Sequence, residues 1–134
     1  MLLSLMLASL TPLPGPCTVT DGDTIRCAPA RAGQKAERIR LLGIDAPELR
    51  GHCRRGRICA PGDPISSKAS LVTAMRRGSL SIQRVGTDRY GRTLAMVSAG
   101  GTDLSCWQLA RRQAIYKPRW DDGGRVKARC PNSI

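Results

Sequence analysis

The chain has 134 residues, with 22 basic and 10 acidic side chains, for a formal net charge of +12 at pH 7. That length accommodates one domain and leaves no room for a second of ordinary size. Phe is absent and only two Trp and two Tyr occur, so an aromatic core is excluded and Leu, Ile, Val, Ala and Met must supply it.

Residues 2–10 are almost wholly apolar, and Thr11 to Pro16 break the pattern. The run resembles the hydrophobic part of a secretory signal, although no Lys or Arg precedes it. It is too short to span a bilayer as a helix. Residues 1–16 are therefore expected to be signal-like and to lie outside the working fold. Residues 17–134 remain as one exported domain, periplasmic or extracellular, with no membrane contact in its mature form.

Short strands follow. Cys17–Thr20 and Thr24–Cys27 flank the acidic turn Asp21-Gly22-Asp23. The stretch from Ala28 to Gln34 is a Pro/Gly/Arg turn, and Glu37–Ile44 alternates as a strand, with Ile39 and Leu41 on one side and Arg38, Arg40 and Leu42 on the other. Pro47 ends it, and residues 49–62 form an irregular basic loop with His52, Arg54, Arg55 and Arg57. Asp63-Pro64 reads as an N-cap followed by proline at the first helical position, opening a helix that ends at Gly78. Leu80, Ile82 and Arg84 alternate as a strand. The turn 86–91 leads to a strand at Thr93–Ser98, and Asp103 can cap a short helix ending at Leu109 or Gln113. The tail from Lys117 shows no strong period. Three strands, a helix, two strands and a helix suit an α+β fold, mainly β: a five-stranded OB-fold barrel with two or three helices.

Six cysteines, Cys17, Cys27, Cys53, Cys59, Cys106 and Cys130, agree with export and with a disulfide-stabilised domain. If Asp21-Gly22-Asp23 is a three-residue hairpin loop, Thr20 faces Thr24 and Cys17 faces Cys27. Cys53 and Cys59 would close a small loop, leaving Cys106 for Cys130. Cysteines that stay reduced are the alternative. No Cys-x-x-Cys pair occurs, and the single histidine leaves little for zinc.

So basic a chain points to a polyanionic partner, of which nucleic acid is the commonest. A merely soluble cationic surface is the alternative. Its acids gather in turns, and a hard cation beside a bound phosphate would account for that. Asp23 and Asp45 are short carboxylates at strand ends, suited with a main-chain carbonyl and waters to Ca²⁺. Glu48 follows Asp45 across a proline, and its longer side chain can reach a water as general base. Arg40 and Arg92 are permanently charged planar forks, suited to phosphate oxygens. Each residue also has a plain structural reading. Asp21, Asp23 and Asp88 can be turn formers, Arg40 a surface residue, and Glu48 a partner of Arg50.

Taken together, Asp21-Gly22-Asp23-Thr24, the run Arg40-Leu41-Leu42-Gly43-Ile44-Asp45-Ala46-Pro47-Glu48 and Asp88-Arg89-Tyr90-Gly91-Arg92 resemble the three motifs of the staphylococcal nuclease (thermonuclease) family. The resemblance covers roughly Cys17 to Ala114. It implies that Asp23, Asp45 and the backbone carbonyl of Ala46 ligate Ca²⁺, with Asp21 a nearby acid outside the ligand set. It implies that Glu48 is the base and that Arg40 and Arg92 clamp phosphate. The substrates implied are DNA and RNA, the products carry 3′-phosphates, and the protein acts as a monomer. Tyr116-Lys117-Pro118 resembles a base-stacking segment of that family. His52 is not expected to be catalytic, and Arg54, Arg55 and Arg57 are expected to add general attraction to a nucleic-acid backbone. Trp107 reads as core, and Trp120 as either core or site. The rival reading is an OB-fold module that binds single strands without cutting.

Overall fold

The computed structural model describes residues 10–49, 53 and 55–134. The apolar run before Leu10, together with Arg50, His52 and Arg54, lies outside the described residues. The strands are β1 (Thr11–Pro12), β2 (Cys17–Asp21), β3 (Thr24–Cys27), β4 (Glu37–Leu41), β5 (Ile44–Asp45), β6 (Leu80–Thr87), β7 (Thr93–Ala99), β8 (Thr102–Asp103) and β9 (Ile115–Tyr116). The α-helices are α1 (Pro64–Met75), α2 (Leu104–Ala110) and α3 (Arg125–Arg129). The fold is mixed α+β and mainly sheet.

The five long strands arise where period-two alternation is clearest. They pair in the order β6-β7-β4-β3-β2, with β1 added to the free edge of β6 and β8 to β7. β4 and β7 run parallel, and the other ladders of this sheet are antiparallel. The order is an open path: among the described residues no ladder joins its two end strands into a closed barrel. Those end strands, β1 and β2, are nevertheless consecutive in the chain. Thr11 and Pro12, inside the signal-like segment, pair with Ile82 and Ser81, and the Leu13 N–H donates to the Leu80 carbonyl at 3.1 Å.

The apolar side of the sheet packs against α1 and α2. Ile25, Ile39, Leu41, Ile82 and Val97 from the strands meet Leu71 of α1 and Leu104 of α2, all essentially excluded from water. Each such aliphatic side chain contributes about 1.5–3 kcal/mol by leaving water, so this cluster dominates the stability of a fold without Phe.

Several boundaries differ from the sequence expectation, and β6 runs through Thr87 into the expected turn 86–91. The strand expected over Glu37–Ile44 breaks after Leu41, because Gly43 adopts φ +75° and redirects the chain into β5. A side chain there would also meet Val126 and Asp121, its Cβ 3.1 Å from Val126 Cγ2. The β2–β3 loop is not the three-residue loop expected. The register slips between Val19 and Asp21, so Asp21 faces Thr24 and Thr20 is bulged out, yet Cys17 still faces Cys27. Helix α1 starts at Pro64 behind the Asp63 cap but ends at Met75 rather than Gly78. The N–H groups of Arg76 and Arg77 bond three residues back, and Gly78 lies against the Gly100 backbone, where a continuing helix has no room.

The three disulfides join Cys17 to Cys27, Cys53 to Cys59 and Cys106 to Cys130. The first staples the β2–β3 hairpin, the second closes a short loop after β5, and the third ties α2 to the end of α3. No helix among the described residues is long and apolar enough to cross a membrane.

Candidate active site

The Asp21-Gly22-Asp23 turn is held in place from behind. Gly22 sits so close to α1 that a Cβ there would stand 1.8 Å from Ser67 Oγ. The buried Gln108 of α2 donates from Nε2 to the Gly22 carbonyl at 2.8 Å and to the Ser67 carbonyl at 2.9 Å. With its backbone fixed, Asp23 turns inward. Its Oδ1 accepts from Thr24 Oγ1 and its Oδ2 from the Ala46 N–H, both at 2.9 Å. The second bond joins the first acidic turn to the second, because Ala46 follows Asp45.

Arg40 stands between the two acids. Its Nη1 lies 3.5 Å from Asp23 Oδ2 and donates to the Ile44 carbonyl at 3.0 Å, while Nη2 lies 3.5 Å from Asp45 Oδ1. Only 9% of Arg40 is exposed. Its guanidinium lies over the Trp120 ring, 4.8 Å from the centroid. Asp45 is 1% exposed, and its Oδ2 is buried with no hydrogen-bond partner.

Burial sets the protonation of these acids apart. For Asp23 burial opposes ionisation, but the Arg40 charge and its own hydrogen bonds outweigh it and hold the carboxyl below the usual range. Burial raises Asp45, with Arg57 and Arg40 pulling the other way. Asp21, which accepts from the Asp23 N–H at 3.3 Å, is raised to about 7, by burial first and by its neighbour Asp23 second.

Glu48 is partly exposed and accepts from Arg57 Nη1 at 2.5 Å; the same guanidinium reaches Asp45 Oδ1 through Nη2 at 3.0 Å. Arg92 comes from the β6–β7 turn. Asp88 shapes that turn by accepting from the Tyr90 and Arg92 N–H groups at 2.9 and 3.0 Å, and its Oδ2 holds Arg92 Nε at 2.7 Å.

These side chains share one cleft of about 1020 Å³, lined by Asp21, Asp23, Arg40, Asp45, Glu48 and Arg92 along with Arg57, Tyr90 and Trp120. Asp21, Asp23, Arg40, Asp45, Glu48 and Arg92, singled out from the sequence, therefore converge, although they come from separate turns. Ala46 is buried beside them, and its N–H is committed to Asp23.

The staphylococcal nuclease homologue model matches residues 38–113, which carry Arg40, Asp45, Glu48 and Arg92. The chain belongs to the staphylococcal nuclease family. A Haemophilus influenzae protein described as an uncharacterized endonuclease is 37% identical over 79 residues, 59% of this chain and 38% of that protein. An Escherichia coli O157:H7 protein of the same description is 38% identical over 81 residues, 60% of this chain and 44% of that one. The chain spans less than half the length of these curated relatives. Asp23 and Trp120 fall outside the span that the family model matches. They reach the cleft of this staphylococcal nuclease homologue through the Asp23–Ala46 bond and the β5–β9 ladder.

One residue of this family member's cleft, Arg57, escaped the sequence reading, and Trp120 was open between core and site. Arg57 was assigned only general attraction, yet it touches both Asp45 and Glu48; its position between two cysteines was the available signal. Trp120 lines the cleft, whereas Tyr116, in the segment resembling a base-stacking one, donates its hydroxyl to Asp121 instead.

A Ca²⁺ ion prefers six to eight oxygen ligands. Among the described residues, no three His, Cys, Asp or Glu side chains form a ready cluster, so an ion here would draw on two carboxylates, main chain and water. The partnerless, buried Asp45 Oδ2 fits that requirement: it is an anionic oxygen withdrawn from water, for which a cation is the natural partner.

Proposed function

We propose that the chain is a Ca²⁺-dependent nuclease that hydrolyses phosphodiester bonds of DNA and RNA. One observation carries this reading: Asp23, Arg40, Asp45, Glu48 and Arg92 line a single cleft. Asp23, Asp45 and the Ala46 carbonyl would hold the ion, with Asp21 beside them. Bound there, Ca²⁺ would supply positive charge against the phosphate and the water that attacks it.

The chain's own groups do the rest. Arg40 and Arg92 clamp the phosphate oxygens and offset the charge that grows on them as phosphorus is attacked. Trp120 backs Arg40, limiting where that guanidinium can go. The Glu48 carboxylate takes a proton from a water molecule as its oxygen bonds to phosphorus. The bond from phosphorus to the 5′-oxygen breaks, that oxygen is protonated from solvent, and the phosphate stays on the 3′ side. Because these contacts address phosphate rather than base edges, weak base preference follows.

The same reading takes residues 17–134 as one OB-type domain, with Thr11 and Pro12 pairing against the edge of β6. It takes the protein as a monomer, exported because three disulfides persist best in an oxidising compartment.

The test is cleavage of heat-denatured DNA and of RNA by the oxidised protein, with CaCl₂ or with a chelator, beside Glu48→Gln. Cleavage should require Ca²⁺, and Glu48→Gln should slow it by about 10²–10⁴-fold. Tight binding without any Ca²⁺-dependent cleavage would instead favour a strand-binding module.

A further inference from the structure

The Arg57 guanidinium makes two parallel donations, to Glu48 Oε1 at 2.5 Å and to Asp45 Oδ1 at 3.0 Å. It thereby holds a proposed cation ligand and the proposed base with one rigid fork. Its backbone is anchored. Both sulfurs of the Cys53–Cys59 disulfide lie against the Arg57 carbonyl oxygen, at 3.2 and 3.8 Å. Lacking S–H groups, they are packing contacts rather than hydrogen bonds. On the far side the guanidinium lies 5.9 Å from the Trp120 ring centroid. Arg40 approaches the same Asp45 oxygen only to 3.5 Å, so Arg57 is its nearer cationic partner.

We propose that Arg57 is a positioning residue that competes with a divalent cation for Asp45 while keeping Glu48 in the cleft, and that the Cys53–Cys59 loop holds it there. This rests on the calcium-dependent reading above. A fixed positive charge within hydrogen-bond distance of a ligand carboxylate lowers that carboxylate's attraction for a second cation. Cation affinity is therefore set as a difference, with Arg57 on the opposing side. The fork also orders Glu48, whose partly exposed side chain would otherwise sample several rotamers.

The experiment is a calorimetric titration with CaCl₂, without substrate, of the oxidised protein, Arg57→Gln, Arg57→Lys and the double variant Cys53→Ser/Cys59→Ser. Thermal unfolding of each in chelator is measured alongside. Arg57→Gln should bind Ca²⁺ roughly tenfold more tightly, yet unfold at a lower temperature in chelator, because buried Asp45 loses its nearest partner. Arg57→Lys keeps the charge and should stay near the parent affinity. The serine pair, which frees the loop, should move in the same direction as Arg57→Gln. If the parent binds Ca²⁺ and Arg57→Gln binds it equally or more weakly, the competition is overturned and the calcium reading survives. If no variant binds Ca²⁺, both are overturned. Failure of the serine pair to fold would leave Arg57→Gln and Arg57→Lys to decide.

Discussion

A methyl group added at Gly22 would collide with Ser67 Oγ at 1.8 Å and with the Ala46 side chain at 2.9 Å. The first contact involves a hydroxyl committed to the Gln113 carbonyl at 2.6 Å, so it cannot simply rotate away. Gly22→Ala should therefore cost about 1–3 kcal/mol through overpacking, read as a lower urea midpoint with unchanged slope. It should also shift Asp23 and lower cleavage more than stability accounts for. An unchanged midpoint would mean that the turn moves aside freely. Each charged residue of the cleft had a plain structural reading alone, and the residue types became legible in the sequence only through the combination of the three motifs. What each one touches was not legible. Nothing in the order of residues indicates that Asp45 keeps an oxygen without a partner, or that Arg57 spans two acids.

Glu37 does the same kind of joining between elements. From β4 it accepts from Arg84 of β6 at 2.6 and 2.8 Å and from the Thr93 hydroxyl of β7 at 2.7 Å. The Arg84 bonds first, with Thr93 adding to them, hold its carboxyl below the usual glutamate range against the opposing effect of burial. A depressed carboxyl stabilises the fold above its unfolded pKa, and that contribution disappears as pH falls through the folded value. The stability difference between the parent and Glu37→Gln should thus be about 0.5–1 kcal/mol at neutral pH, since the pair is partly solvated. It should shrink as pH falls below the ordinary glutamate range and is lost below the depressed folded value. Denaturant unfolding over an acid pH series checks this, and a difference that grows on acidification would refute it. The long strands were readable because alternating Ile39 and Leu41, or Ile82 and Arg84, give a clear period. The two-residue strands β5 and β9 were not, since so short a ladder has no period. It is fixed by Gly43, whose N–H donates to the Trp120 carbonyl at 3.0 Å and whose carbonyl accepts from the Lys117 N–H at 2.8 Å.

Over the whole molecule, charge is divided unevenly. Asp21, Asp23, Asp45, Glu48, Asp88 and Asp122 line the cleft, and so do Arg38, Arg40, Arg57, Arg89, Arg92 and Arg119. This lining is balanced, so the net charge of +12 is carried by residues other than these. The surplus would draw a strand toward the protein while the lining governs chemistry. Affinity for a single-stranded oligonucleotide in chelator should fall at least about tenfold between 50 and 200 mM salt, whereas the cleavage rate at saturating strand should change little. Fluorescence anisotropy and single-turnover rates separate the two, and a salt-independent affinity would contradict the division. The tail that seemed featureless has its own bearing on how the molecule comes into being. Trp120, which follows the β9 strand, completes a wall of the cleft whose other parts begin at Thr20, so the site joins segments far apart in the chain. A polypeptide still emerging from the ribosome has Asp23, Arg40, Asp45, Glu48 and Arg92 before it has that wall. The growing chain thus holds these groups without that wall while it remains beside the messenger that encodes it.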